Sequence, residues 1–524
     1  MPTGQHRELK PATFSSSQLQ ELDEAISQIL LRSRELHNTL YSKVAPLPDH
    51  ILSSILEKAC VVEPELAPPP WKHSSVFYGF PEFSAFTART LSSVCTRWRL
   101  LLLSNPIVWS DVRVTIRRPE NLLWMEACLV RSGPSPIGCT IQIDQPERIP
   151  GIDLTKVIAR HQSAIRCLKV NPRTKEEFRF LTLGMDNLER LHIDAGAKAS
   201  NCLPTCHLKK LRAVVLQNLH SVPPKVLFNI TDLTLSDITF PVPAVTLVEM
   251  FQESQTLEVV RIIKTDVTEG PQRCLVSLPN LKLLCVSSSS PVNVLRMLSP
   301  LPNTSRVVLH GNPTDSAASG ISELLTPFSM FGPKNPILTA SISTLSQEAS
   351  ITFRTSVGAT MEIITEANSE FCRFLANMVR RVSFPDLHSV SLNIEPAALG
   401  PTSTTFIRTF LSSAPWMTRL SFEGKDLCLH IGQVLNVTLA LDQIVCPYLK
   451  CLDGTLSAEG NIADRLRSLS EALKRRPNIK VVILDVIVRE EEVERIAAET
   501  HPLVEEMRAY GIPKFTFTLV EERG

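Results

Sequence analysis

Cys202, Cys206 and His207 form the one cluster in this sequence with metal-ligand types at ligand-like spacing, a C-x3-C-H. Zinc takes four ligands, usually from two such half-sites, and no second half-site accompanies this one, so no metal is expected. The 19 glycines are scattered and build no GxxxxGK or GxGxxG phosphate loop. Neither a GxSxG elbow nor an HExxH helix occurs. No catalytic set and no cofactor is therefore expected, and the chain reads as a non-enzyme. Cys446 and Cys451 flank a predicted strand and read as core cysteines. Lys474-Arg475-Arg476 falls at a predicted helix end, where cations favour the macrodipole, and reads as a solvated terminus. Arg489–Arg495 reads as a solvated, acidic helix start. What remains is recognition by apolar anchors.

The elements that carry those anchors begin with a helix. Leu19, Leu22, Ile26, Ile29, Ser33, Leu36 and Leu40 alternate steps of three and four, a heptad seam with one polar interruption. Ser17 and Gln20 fit a capping box at its start. Such a helix either pairs with another chain or packs onto its own protein. Leu47-Pro48-Asp49-His50-Ile51-Leu52 then opens a second helix with proline at its first position, and Ile51, Leu52, Ile55, Leu56 and Ala59 are expected on one face. The prolines from Pro64 to Pro70 end it and begin an insertion over about 61–84, whose aromatics include Trp71, Phe77 and Tyr78. Periodicity resumes at Thr87, with Leu91, Val94, Cys95, Trp98, Leu101 and Leu102 as a single stripe. Asn105-Pro106 stops that helix, and Trp109 follows.

Beyond Asp111 a short phrase recurs: an apolar strand of about six residues, often after proline or a polar pair. Leu188, Leu208, Ile230, Leu257 and Leu281 open successive copies at spacings of 20, 22, 27 and 24 residues, and Leu387, Met417, Leu449 and Ile479 at 30, 32 and 30. Segments such as Val248–Glu253 and Leu466–Leu473 read as return helices or irregular turns. A strand and return every 20–32 residues marks a leucine-rich-repeat-like solenoid, in which each unit covers its neighbour's apolar face. The repeats blur over 312–370, and Phe515–Leu519 reads as a last, capping strand. The expected fold class is α+β to α/β solenoid: an N-terminal helix within 1–45, a small all-α unit over 46–112, and the array over 113–524.

LPDHIL, then LSSVCTRWRLLLL, then NPIVW, in that order between Leu47 and Trp109, resemble the F-box. The preceding heptad-like helix and the following repeats resemble a fungal subgroup of such proteins. The resemblance implies an adaptor, with the F-box binding the Skp adaptor of a cullin–RING ubiquitin ligase and the repeats holding a protein substrate. It implies a contact set of Leu47, Pro48, Ile51, Leu52 and Ile55 from the first helix, with Leu91, Val94, Cys95, Trp98 and Trp109 from the second part. Each of these side chains either docks the adaptor or holds the unit together. His50 stands where the family commonly has glutamate, and the insertion is longer than the compact form of the domain. An alternative is a repeat scaffold whose F-box-like unit only caps the solenoid.

With 54 basic and 53 acidic residues the net charge is +1, which provides no footprint for nucleic acid or anionic membrane. No run reaches the 18 or more apolar residues of a membrane span, and no apolar signal segment follows the polar start. Thirteen cysteines, an odd number scattered through apolar runs, point to a reducing compartment, the cytosol or nucleus.

Overall fold

Short segments with apolar residues at alternate positions become strands, and the computed structural model joins them into a mostly parallel sheet with helical returns, a mixed α/β fold. The structure describes residues 16–41, 46–62, 82–83, 85–143, 154–171, 184–195, 208–222, 229–270, 276–288, 291–298, 301–302, 305–310, 336–345, 348–356, 358–366, 377–378, 384–394, 403–424, 427–436, 438–439 and 443–521. Contacts divide the chain into two compact units, one of residues 1–65, 78–152 and 164–166, the other of the rest.

The first unit contains the long helix Ser16–Tyr41, the helices Asp49–Cys60, Ala85–Ser92 and Thr96–Leu103, a 3-10 turn over Pro106–Trp109 and the helix Pro119–Ser132. Strands β1 (Val61–Val62) and β2 (Glu82–Phe83) pair antiparallel and close the base of the insertion. Its remaining aromatics, including Trp71, Phe77 and Tyr78, lie outside the described residues. The unit runs past residue 112, because β3 (Asp111–Ile116) pairs in parallel with β4 (Ile137–Ile143) and the helix Pro119–Ser132 connects them. The long helix begins at Ser16, which puts Ser17 inside it rather than at a cap. Ile26, Ile29, Leu30 and Leu31 are all exposed, so this part of the seam does not pack onto its own protein.

In the second unit the strands are β5 (Ile165–Asn171), β6 (Arg190–Asp194), β7 (Ala213–Gln217), β8 (Asp232–Ser236), β9 (Val259–Ile263), β10 (Leu283–Ser287) and β11 (Arg306–His310). They continue as β12 (Ile337–Leu345), β13 (Glu348–Thr355), β14 (Thr360–Glu366), β15 (Ser389–Asn393), β16 (Arg419–Glu423), a small hairpin of β17 (Thr438–Leu439) with β18 (Gln443–Ile444), β19 (Cys451–Ser457), β20 (Val481–Val488) and β21 (Lys514–Glu521). Each strand from β5 to β11 pairs in parallel with the next. The same holds from β15 through β16, β19 and β20 to β21. Between these runs sits an antiparallel meander entered from its far side: β14 joins β11, β12 joins β15, and β13 bridges the two. This meander occupies the stretch where the sequence pattern blurs, because its strands alternate without the turn-and-return phrase of the repeats.

Register aligns one apolar row across the ladder. Leu191, Val214, Leu233, Val260, Leu284, Val307 and Met361 are lateral neighbours, and so are Val390, Leu420, Leu452 and Val482. All of them are buried, and full burial of such a side chain contributes roughly 1.5–3 kcal/mol. No single repeat could bury this row alone, so the stack folds as one. Every expected strand is present, the internal ones starting two to five residues late and the last one residue early, at Lys514. The leading apolar residue of each phrase is instead a buried turn anchor, as where Leu211 N–H reaches Leu208 and Leu449 N–H reaches Cys446. The expected list also missed β3, β4, β5 and β11.

A second regularity was invisible in the sequence. Asn218, Asp237 and Lys264, each directly after a strand, have positive φ of 55°, 52° and 45°. Their N–H groups bond to the end of the following strand, at Ser236, Ile263 and Ser287. Three different residue types hold one backbone conformation, which gives no compositional signal.

Gly454 in β19 is fixed by its neighbour: a Cβ there would meet the Phe422 ring at 2.3 Å. Gly454→Val should destabilise the fold by about 3 kcal/mol, read as a lower urea midpoint at unchanged slope. Burial pushes the thiols of Cys128, Cys139, Cys428 and Cys446 up to about 12. Unfolded thiols titrate near the ordinary value of 9.0, so above that pH the unfolded chain has released protons that the folded chain still holds. The stability is complete below pH 9 and falls as pH rises, at about 1.4 kcal/mol per pH unit for each such thiol. Urea midpoints at pH 8 and 10 should therefore diverge, and Cys428→Ala should narrow the gap.

The basic run at the end of helix Ile462–Lys474 is not a solvated terminus. Lys474 and Arg475 are exposed, but Arg476 is buried and its guanidinium donates to three carbonyls: Nη1 to Val445 at 2.5 Å and Cys446 at 3.2 Å, Nη2 to Leu435 at 2.7 Å. The acidic run does face solvent, as a 3-10 turn over Glu490–Glu492 leading into helix Val493–Ala509.

Candidate docking site

Helix Asp49–Cys60 is launched by Pro48, whose carbonyl accepts from the N–H groups of Ile51 and Leu52 at 3.1 and 3.0 Å. Pro48 is thus the N-cap rather than the first helical residue. Steps of four then sort the apolar side chains into two rows. Leu52, Leu56 and Cys60 are buried, while Ile51 and Ile55 are 41% and 47% exposed. The single face expected from the sequence is two faces, one inward and one toward solvent. Arg97 anchors the start of this helix, with Nε and Nη2 donating to the Asp49 carboxylate at 2.8 and 2.6 Å and Nη2 also to the Leu47 carbonyl. Leu47 is half-buried; Pro48 and His50 are exposed.

The second stripe does not run along one helix. Helix Ala85–Ser92 stops, and Thr96–Leu103 starts after Cys95, which is fully extended at φ −156° and ψ 167°. The serines cause the break: Ser92 and Ser93 hydroxyls donate back to the Arg89 and Thr90 carbonyls at 2.7 and 2.6 Å, competing with the helical ladder. The N–H groups of Ser93 and Val94 reach back only three residues, tightening the last turn. Val94 is therefore displayed at a corner, 49% exposed, while Leu91, Cys95 and Trp98 are half-buried. Trp109 is core: its Nε1–H donates to the Leu102 carbonyl at 2.9 Å, and its ring meets Trp124 edge-on at 6.2 Å.

Of the ten side chains implied as contacts, Ile51, Ile55 and Val94 are thus displayed and apolar, Pro48 is displayed beside them, Leu52 and Trp109 are interior, and four lie between. The sequence missed Phe86, Leu100, Leu103 and Ile107, which are also exposed. Leu100 and Leu103 belong to the run Leu100–Leu103, where an unbroken apolar string hides which residues turn outward. Isolated exposed apolar residues are ordinary; these are the apolar side chains of the helical unit that a docking partner could cover.

The array offers a second surface, the strand face opposite the apolar row. Over β10, β11 and β14 it is closed, with Cys285, Val308 and Ile364 packed together. Over β15, β16 and β19 it is largely polar, carrying the ion pair Arg419–Asp453 at 3.0 Å and the bond from Asn393 to Glu423 at 3.0 Å, while β20 adds half-buried Val481, Ile483 and Ile487. At the turns leading into β16 and β19, Trp416 and Tyr448 occupy equivalent places in successive repeats. They stack at 4.5 Å and 16°, and both are about half exposed. Paired exposed aromatics are the side chains that most often dominate protein interfaces.

No group of three or more metal-ligating side chains exists among the described residues, and Cys202, Cys206 and His207 lie outside them. Cys446 is a buried core cysteine as expected; Cys451 is half-buried at the start of β19. Among the described residues no helix is long and apolar enough to cross a membrane. No protein-family model matches the chain, and no curated protein matches it in sequence.

Proposed function

We infer that this chain is an F-box substrate receptor, tying a protein target to a cullin–RING ubiquitin ligase through its Skp adaptor. The observation that carries the reading is the exposure of the apolar Ile51, Ile55 and Val94 on a small helical unit, within the ordered motifs LPDHIL, LSSVCTRW and NPIVW. Apolar anchors on short helices suit helix-in-groove recognition, where a few desolvated side chains supply most of the affinity. The repeat array would hold the target, and the exposed Trp416–Tyr448 pair beside the polar strand face over β15, β16 and β19 is the surface suited to it. The chain itself makes or breaks no bond; it raises the effective concentration of acceptor lysines at the ligase. The test is capture of the Skp adaptor by the full chain. Saturable binding that depends on Ile51 and Val94 supports the reading, and a wild-type chain that does not bind leaves the helical unit as a structural cap.

A further inference from the structure

Three arginines from three helices converge on one cleft of the first unit, of about 540 Å³. Arg89 comes from Ala85–Ser92, Arg99 from Thr96–Leu103 and Arg131 from Pro119–Ser132; Trp124 and Glu120 share the lining. Two of the three are held in place by aromatic faces. The Arg89 guanidinium lies 5.0 Å from the Trp124 ring centre, and that of Arg131 lies 6.0 Å from the same ring and 4.8 Å from Trp109. Arg99 is held through Nε, which donates to the Ser92 carbonyl at 3.0 Å, and its terminal nitrogens are left to act.

Such an arrangement is unusual on this surface. Other arginines of this surface pair with acids, as Arg97 does with Asp49, Arg306 with Glu362 and Arg419 with Asp453. Among the described ion pairs none involves Arg89, Arg99 or Arg131, and Glu120 is the one carboxylate lining the cleft. Three cations against one anion leave an uncompensated local excess in a chain whose totals nearly cancel. Like charges gathered without partners are stabilised when a dianion enters among them.

We propose that this cleft binds a phosphomonoester dianion. Guanidinium forks match tetrahedral phosphate oxygens two at a time, which lysines or a lone helix terminus do not. The volume falls in the range of small-molecule sites and exceeds a single phosphate, leaving room for the group that carries it. That carrier is either a phosphorylated side chain of another protein or a small phosphorylated molecule, and the chemistry at the arginines is the same. The site does not depend on the adaptor reading, because no adaptor contact enters the argument.

Isothermal titration of the full chain tests it with three probes: a phosphoserine peptide, the same peptide without phosphate, and inorganic phosphate. Binding of the phosphopeptide at least tenfold tighter than inorganic phosphate assigns a protein source, and comparable binding of the two assigns a small phosphorylated molecule, because the peptide then adds nothing to the phosphate group. In both cases the unphosphorylated peptide should not bind, and Arg99→Gln should weaken binding tenfold or more. Arg99→Lys should recover only part, because charge returns without the fork. Arg99 is exposed and stacks on no tryptophan, so an unchanged melting temperature for Arg99→Gln excludes unfolding as the cause. Absence of saturable phosphate-dependent binding up to millimolar concentration, or binding that Arg99→Gln leaves unchanged, overturns the proposal.

Discussion

The double exchange Ile51→Asp with Val94→Asp is expected to abolish capture of the Skp adaptor while leaving circular dichroism and melting temperature within error of the wild type. Both side chains are about half exposed in the free chain, so a carboxylate there stays hydrated and costs the fold little. In a docked groove the same carboxylate would be desolvated without a partner, and the apolar anchor would be gone. Hot-spot losses of about 2 kcal/mol or more at each position compound to roughly a thousandfold loss of affinity. Leu52→Asp is the contrasting variant. Leu52 is 1% exposed, and an unpaired charge there should unfold the helical unit and lose adaptor binding for that reason alone. A set in which Ile51→Asp with Val94→Asp binds like the wild type removes these exposed side chains as the docking surface.

The distinction between those variants is the part of the site that the sequence did not contain. Apolar spacing located the first helix and the helical stretch after the insertion, because periodicity and proline stops are local signals, but not the break that divides that stretch in two. It could not divide Ile51 from Leu52, since adjacent apolar residues lie 100° apart on a helix and either can face the core. Nor could it foresee the corner at Val94, which depends on two serine hydroxyls choosing backbone carbonyls over solvent. In the array the strands were legible from their leading apolar residues, though the register shows those residues to be turn anchors. The meander at Ile337–Glu366 was hidden because its place in the ladder is set by pairing with β11 and β15, strands distant in sequence. The cleft of Arg89, Arg99 and Arg131 was likewise scattered over three helices, and only packing assembles it.

Long-range contacts also decide the fate of Arg476, and Arg476→Ala is expected to lower the unfolding free energy by about 3–5 kcal/mol. Its guanidinium is buried and donates to the carbonyls of Leu435, at the end of helix Leu427–Asn436, and of Val445 and Cys446, in the turn before β19. Cys446 itself sits at positive φ of 51°, a conformation a non-glycine residue keeps only where its surroundings fix it. Truncation to alanine takes the guanidinium from the Leu435 and Val445 carbonyls, while Cys446 keeps the Leu449 N–H, and it opens a void where the side chain ran. Burial lowers the arginine pKa from its usual 12.5, yet a guanidinium remains charged at neutral pH, so the cost is that of acceptors left without a donor. Arg476→Lys should recover part of the loss, since one ammonium cannot reach all three carbonyls in the planar geometry of the fork. Arg475→Ala, one residue away and exposed, should change stability by less than about 0.5 kcal/mol. Equal urea midpoints for the two alanine variants would contradict a structural role for the buried arginine. A large gap between them would show that one residue of a uniform basic run staples the return helix to the loop behind it.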